Sequence, residues 1–341
     1  MLRMLGQHPD TPKQNEAAMA EDEAQARQIH YPPVPNGIDY LRDVIDRLAR
    51  ESGEPSERDL KYAVLHLQAA AEVLLKARLR EEHWTLVIAR ADKTNRKEFE
   101  KGKFDSASNH ETVRRLVEVV GLDISNDDKK TLLDLAADRN QLQHWGITEE
   151  ANAVLTRAAK VLDFLIRFLD QYLLPHIGAA DEEAVAEDLD EIRIGLTHIE
   201  SYVTSRMGRL RESNLKGHED RTVRCPDCQQ MALIVDGATN SCLFCPRDWT
   251  DSLELASAYD NAYGYSPAPG DPYEDTLVDC PDCDTPTLVL EAETIASGGS
   301  VPLCFNCGEI QDDLQGCMRC GQLYRPIDEE VLCSDCFADL G

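Results

Sequence analysis

Twelve cysteines in six Cys-x-x-Cys pairs constrain this 341-residue chain more than any other feature. The pairs are Cys225/Cys228, Cys242/Cys245, Cys280/Cys283, Cys304/Cys307, Cys317/Cys320 and Cys333/Cys336, all at or beyond position 225. Thirteen residues separate the first two pairs, twenty the next two and twelve the last two. A Cys-x-x-Cys turn points both sulfurs at one ion, and two such turns complete a tetrahedral four-cysteine site. Three structural Zn2+ sites are expected; iron in a rubredoxin-like site uses the same ligands. Nine residues separate Cys307 from Cys317, so the last eight cysteines can also interleave as a cross-brace. A redox role is disfavoured, because no βαβ context surrounds any pair. Ribbons this short do not fold without their metal, so small β-rich modules are expected at 220–250, 279–310 and 314–338.

Charge separates the same region from the rest. Residues 1–220 hold 30 Lys/Arg against 41 Asp/Glu, a net of −11; residues 221–341 hold 5 against 22, a net of −17. Each zinc ion held by four thiolates adds two further negative charges. Zinc ribbons often bind nucleic acid, but phosphate binding needs clustered Lys/Arg, and DNA binding by this tail is disfavoured. The tail is expected to be architectural or to face a protein partner. Residues 251–278, with Pro267, Pro269, Gly270 and Pro272, read as an acidic linker.

The first two thirds carry helical periodicity. Residues 1–36 are polar and proline-bearing and read as a disordered or loosely helical tail. Leu60, Val64, Leu67, Ala71 and Leu74 form one buried helix face, opening at Ser56 with Asp59 three residues on. Leu155, Ala159, Leu162, Ile166 and Leu169 form another, ending before Pro175 and Gly178. Shorter helices are expected near 112–120 and 127–143, the second capped by Ser125 or Asn126. Residues 91–108 read as a polar loop containing Arg96, Lys97, Lys101 and Lys103. The Arg90–Lys103 segment, which adds Arg90 and Lys93 to these, is either a solvated loop or a basic lip to a functional site. Residues 182–216 continue helically, as a last bundle helix or as a stalk. No stretch of about 20 apolar residues appears, nor an apolar signal core, and a cytoplasmic location is expected, without membrane contact.

The chemistry candidate lies in 136–146, AADRNQLQHWG. Leu132, Leu135, Arg139 and Leu142 share one helical face, so Arg139 sits on an apolar stripe, where an unpaired charge is costly. His144 follows five residues later, about 140° around the helix.

Arg139, Asn140 and His144 resemble the Arg-polar-x3-His motif of HEPN domains. The helix holding Lys61-Tyr62-Ala63 and Ala69 to Ala77 also looks like this family's, and the resemblance covers roughly residues 37–178. It implies an all-α, up-and-down bundle of four to five helices that dimerises so that two motifs face each other. Many members are metal-independent endoribonucleases of toxin–antitoxin, phage-defence or RNA-processing systems. Carried over, His144 acts as general base or acid, Arg139 stabilises phosphate charge, and Asn140 positions the pair or the phosphate. Members silenced by nucleotidylation carry a tyrosine two residues after the histidine; here that position is Gly146. Two functions follow: a HEPN-type endoribonuclease with RNA as substrate, or a non-catalytic HEPN-like interaction or nucleotide-binding protein whose acidic tail docks a partner. The remaining acidic pairs, at 127–128, 149–150 and 182–183, read as helix-start residues, and His83 and Trp84 as packing residues.

Overall fold

The structure is a computed structural model, which describes residues 29–50, 53–237, 239–245, 247–264, 277–326 and 330–339. Helices occupy the chain up to residue 212, and three small antiparallel sheets follow.

Helix α1 (Pro33–Leu48) opens behind Pro32 with Pro33 in its first turn, where a missing N–H removes no helical bond. It begins inside the stretch expected as a tail; residues 1–28 of that stretch lie outside the described residues. Val34, Ile38, Leu41, Val44, Ile45 and Leu48 make its buried face. Helix α2 (Glu57–Glu82) starts at the Ser56–Asp59 capping box, in which each residue's side chain accepts the other's backbone N–H. Its stripe Leu60, Val64, Leu67, Ala71, Leu74 is buried as the periodicity predicts.

The polar stretch 91–108 is more ordered than a loop. It contains the short helix α3 (Arg96–Glu100), capped by Asn95. Its two aromatic residues anchor it: Phe99 lies 5.3 Å from the Trp84 ring and 4.9 Å from Phe104. Helix α4 (Asn109–Arg115) runs into a wide turn over Leu116–Val120, which left-handed Gly121 ends. Helix α5 (Asn126–His144) is capped by Ser125, and α6 (Ala151–Phe168) continues through a wide turn to Pro175.

Residues 182–216 are not a stalk. They form two helices, α7 (Ala179–Leu196) and α8 (Glu200–Glu212), and α7 packs on α1 while α8 packs on α6. What ties α8 down is charge as well as apolar area. Asp163 on α6 is buried and accepts from Arg206 at 2.9 Å and Arg209 at 2.7 Å, both on α8. Burial alone raises a carboxyl's pKa, but Arg209, with Arg206 and Arg167, holds that of Asp163 below its ordinary value.

The first sheet runs β1 (Thr222–Arg224), β2 (Met231–Ile234), β3 (Asn240–Cys242), β4 (Asp248–Trp249), with Val223 opposite Leu233 and Leu233 opposite Cys242. It docks directly on the bundle. Arg206 donates to the Leu243 carbonyl at 2.9 Å, and Tyr202 meets Phe244 edge-on at 5.7 Å.

The expected acidic linker begins as a helix instead, α9 (Ser252–Tyr263), capped by Asp251. Leu255, Ala256 and Tyr259 are its buried residues, and apolar residues at three- and four-residue spacing outweigh the acidic character that suggested a linker. Residues 265–276 lie outside the described residues. The second sheet comprises β5 (Leu277–Val278), β6 (Leu288–Glu293) and β7 (Ser300–Cys304), with Leu288 opposite Cys304. It shares a core with the first: Asn240 donates to the Phe305 carbonyl at 3.0 Å, and the Tyr259 ring packs, tilted, against that of Phe305 at 5.0 Å. The third is a single pair, β8 (Gln315–Gly316) and β9 (Leu323–Tyr324), beside helix α10 (Ser334–Ala338). It is held through Arg325, which forms a two-pronged ion pair with Asp282 and also donates to Gln311.

Candidate functional site

The twelve cysteines gather into three groups of four: 225/228/242/245, 280/283/304/307 and 317/320/333/336. The sequential pairing therefore holds, and the cross-brace does not. Within each group all sulfurs lie within 4.8 Å of one another. The nearest contacts are 3.6 and 3.8 Å in the first group, 3.6 and 3.9 Å in the second and 3.7 Å in the third. A disulfide is about 2.05 Å, so these are thiols apart. Four ligands at a Zn–S distance of about 2.3 Å give a tetrahedral edge of about 3.8 Å. The donor set and spacing fit one tetrahedral ion per group.

One backbone design recurs in four of the six turns. The N–H four residues after the first cysteine returns to that cysteine's carbonyl: Gln229 to Cys225, Asp284 to Cys280, Gly308 to Cys304 and Gly321 to Cys317, all at 2.8–2.9 Å. The returning residue is left-handed each time, with φ of 61°, 54°, 75° and 78°. The cysteine's own N–H bonds to the carbonyl five residues on, closing a small loop around the two sulfurs. Backbone amides then face the sulfur, where they favour thiolate; the Cys333 N–H pulls the Cys317 thiol down to about 6. The third group is the most open, since Cys320 is exposed.

Of the five arginines after residue 220, four are engaged within the tail. Arg224 lies over Tyr263, Arg247 pairs with Asp227 and covers Trp249, Arg319 reaches the Cys336 carbonyl, and Arg325 holds Asp282. The tail therefore presents no cluster of free cations among the described residues.

The Arg139–Asn140–His144 group occupies the last turns of α5. Leu132 and Leu135 are buried, but the stripe leaves the core before Arg139, which is half-buried, and Leu142 is half-buried too. The charge that α5 buries is that of the preceding residue, Asp138, which accepts from Arg157 of α6 at 2.6 Å. Burial pushes its carboxyl above the usual range against the pull of Arg157, and Glu149 binds the same guanidinium. Arg139 donates to the Asn140 side-chain oxygen at 3.0 Å and has no carboxylate partner among the described residues. Asn140 and His144 are exposed, and the His144 side chain makes no hydrogen bond there. The structure thus brings Arg139 to Asn140 and records no contact between Arg139 and His144.

Beside this end lies a groove of about 700 Å³, walled by Leu60 and Val64 of α2, Leu142, Trp145, Ile147 and Val154. Trp145 is 97% exposed, an extreme for so large an apolar residue.

The Arg90–Lys103 segment cannot form a lip to this end of its own bundle. Arg96 and Phe99 line a cavity with Lys76, Arg80 and Trp84, at the far end of α2 from Leu60. From Leu60 to Ala77 the helix rises about 25 Å. Residue-level reading missed this cavity, because its aromatic residues are spread over three short elements. Phe99 and Phe104 inside a charged stretch were the available signal.

No helix among the described residues is long and apolar enough to cross a membrane. Compared with family models, with curated proteins and with solved structures, the chain matches none.

Proposed function

We propose that the chain is a HEPN-type, metal-independent endoribonuclease that acts as a homodimer, its three four-cysteine groups holding structural Zn2+. The observation that carries the reading is an arginine and a histidine that have no ionic partner among the described residues, at one helix end beside an open groove of mixed apolar and charged lining. In an acidic chain of this charge, a guanidinium without a carboxylate is available to an external anion. His144 takes the proton of the RNA 2′-OH as it attacks the adjoining phosphorus, or returns one to the departing 5′-oxygen. Arg139 stabilises the charge growing on the phosphate, and its hydrogen bond to Asn140 holds the guanidinium in one direction. RNA supplies its own nucleophile, so the reaction needs no metal. One helix does not aim both side chains at one point, and a second copy packed on the Trp145 groove supplies the complement.

The test is cleavage of total RNA by the purified protein with EDTA present, against His144→Ala. Cuts that survive the chelator and vanish in the variant support the reading. Silence from both, with a dimer in solution, favours the second reading, a non-catalytic protein whose tail docks a basic partner. That reading draws on the third ribbon, where Met318 (78%), Val331 (47%) and Phe337 (65%) stand exposed among acidic residues.

A further inference from the structure

In the first two ribbons, an aromatic residue inside a Cys-x-x-Cys turn makes a joint to a neighbouring module. In the first it is Phe244, between Cys242 and Cys245, buried and edge-on to Tyr202 of α8. In the second it is Phe305, between Cys304 and Cys307, buried against Tyr259 of α9. The third ribbon repeats the device with nothing on it: Met318, between Cys317 and Cys320, is 78% exposed. Its N–H donates to the Val331 carbonyl, and the adjoining Arg319 donates to the carbonyl of Cys336, next to Phe337. These bonds bring together three exposed apolar residues, Met318, Val331 and Phe337. Residues 314–339 hold five Asp/Glu against two Lys/Arg, a net of −3, and four thiolates around Zn2+ add two more negative charges. Both arginines are engaged, Arg319 with Asp339 and Arg325 with Asp282. Glu330 and Asp335 are exposed and have no cationic partner among the described residues.

The bundle carries the complement, at the end of α2 far from His144. A cavity of about 870 Å³ opens there, walled by Trp84, Phe99 and Phe104. Aromatic rings receive the turn residues at both existing joints, and they also favour a thioether sulfur. Arg80 lines the cavity, as do Gly102 and Phe104 on either side of Lys103. Residues 90–103 hold six Lys/Arg against three Asp/Glu, a net of +3 in a chain of −28. Lys76 and Arg96 are paired with Glu72 and Glu100, but Arg80 and Lys103 are exposed and have no ionic partner among the described residues. No hydrogen bond, ion pair or ring contact among the described residues joins this face to 314–339. Within one chain, each face is open.

We propose that the third ribbon of one copy docks on the aromatic cavity of a second copy. Met318 and Phe337 meet the Trp84–Phe99–Phe104 wall, and Glu330 and Asp335 meet Arg80 and Lys103. Two copies of a chain this acidic repel each other over most of their surface, so association runs through the faces of opposite sign. Under a two-fold axis each copy gives its ribbon and receives its partner's, and the pairing closes with two equal joints. The contact goes beyond the ribonuclease reading and uses none of Arg139, Asn140, His144 or Trp145.

The test is sedimentation velocity of the full-length, metal-loaded protein over a range of concentrations, in a Trp145→Asp background that disables the groove at the other end of α2. A concentration-dependent dimer that weakens with added salt is expected. Arg80→Glu with Lys103→Glu, and separately Glu330→Lys with Asp335→Lys, all on exposed side chains, set like charges against each other. Each pair is expected to weaken the dimer by about tenfold or more. Mixing the two variants restores it, because the reversed bundle face of one then meets the reversed ribbon of the other. Metal content and helical circular dichroism equal to the parent's verify that each variant is folded. A monomer at every concentration leaves the ribbon to a foreign partner and overturns the proposal. A dimer indifferent to both charge reversals, or one that mixing does not restore, overturns it too.

Discussion

Asp163 is a buried carboxylate at the joint between α6 and α8. Three guanidinium groups converge on it, from Arg206, Arg209 and Arg167, and Arg167 also reaches Asp128 at the start of α5. Removing one partner of a buried charge set leaves the others desolvated and uncompensated. Asp163→Ala is therefore expected to cost about 3 kcal/mol or more, measured by urea unfolding at neutral pH. Because its folded pKa is lowered, its contribution is complete above the unfolded value of about 4 and is lost as pH falls through the lower folded value. Stability of the parent chain should thus fall below about pH 4 more steeply than that of the variant. The motif residues behave differently. Arg139→Ala and His144→Ala remove side chains that face solvent at least in part, so unfolding midpoints should barely move, within about 0.5 kcal/mol, while RNA cleavage falls by about a hundredfold or more. The helix that carries Arg139, Asn140 and His144, with Ser125 as its cap, was legible from residue types and spacing. The burial of Asp138 in place of Arg139 was not, because it depends on where α5 leaves the core and on Arg157 from another helix.

At the scale of elements, the Cys-x-x-Cys turns make the firmest prediction. Metal analysis of the purified protein should find three ions per chain, and stripping them should unfold the sheets while leaving helical circular dichroism largely in place. The register of the ribbons is strict where they touch. Gly237 has φ +85°, and a Cβ there would stand 2.5 Å from the Asn306 carbonyl in the second ribbon. Gly237→Ala is expected to lower the stability of the metal-loaded ribbons by about 1–2 kcal/mol from backbone strain, with more from the clash, read as an earlier melting step. The helical stripes of α2 and α6 were legible because each buries one face at a constant period. Helix α9 was not, since its short apolar face is read only once Phe305 and the Cys225 carbonyl are there to receive Tyr259 and Tyr263.

The whole molecule is a chain of dockings in which each module rests on the one before. The first ribbon sits on α8 through Arg206 and Tyr202, the second on the first through Asn240, and the third on the second through Arg325. These joints differ in burial: Arg206 and Tyr202 are 3% and 1% exposed, whereas the Arg325 side chain is 45% exposed. Exposed ion pairs contribute about 0–1 kcal/mol. Deleting residues 314–341 should therefore leave the melting of the remainder nearly unchanged. Deleting 220–341 should destabilise the bundle itself, by uncovering Tyr202 and leaving Arg206 without the Leu243 carbonyl. Differential scanning calorimetry of the two truncations distinguishes these outcomes, and a loss of activity in the longer deletion is read as lost regulation only where the bundle is still folded at the assay temperature.

Periodicity, capping residues and Cys-x-x-Cys spacing were enough by themselves to establish a helical part followed by metal-binding modules, because each is a local rule acting within a few residues. Three things were decided only in three dimensions. The last eight cysteines group in sequence order, since the strands bring each pair to its nearest neighbour and permit no interleaving. Residues 182–216 join the bundle because Asp163 needs the arginines of α8. The basic segment and the Arg–His motif lie at opposite ends of α2 because a 26-residue helix separates them. Each is a contact between residues distant in sequence, and no local pattern encodes the direction in which two helices or two strands meet.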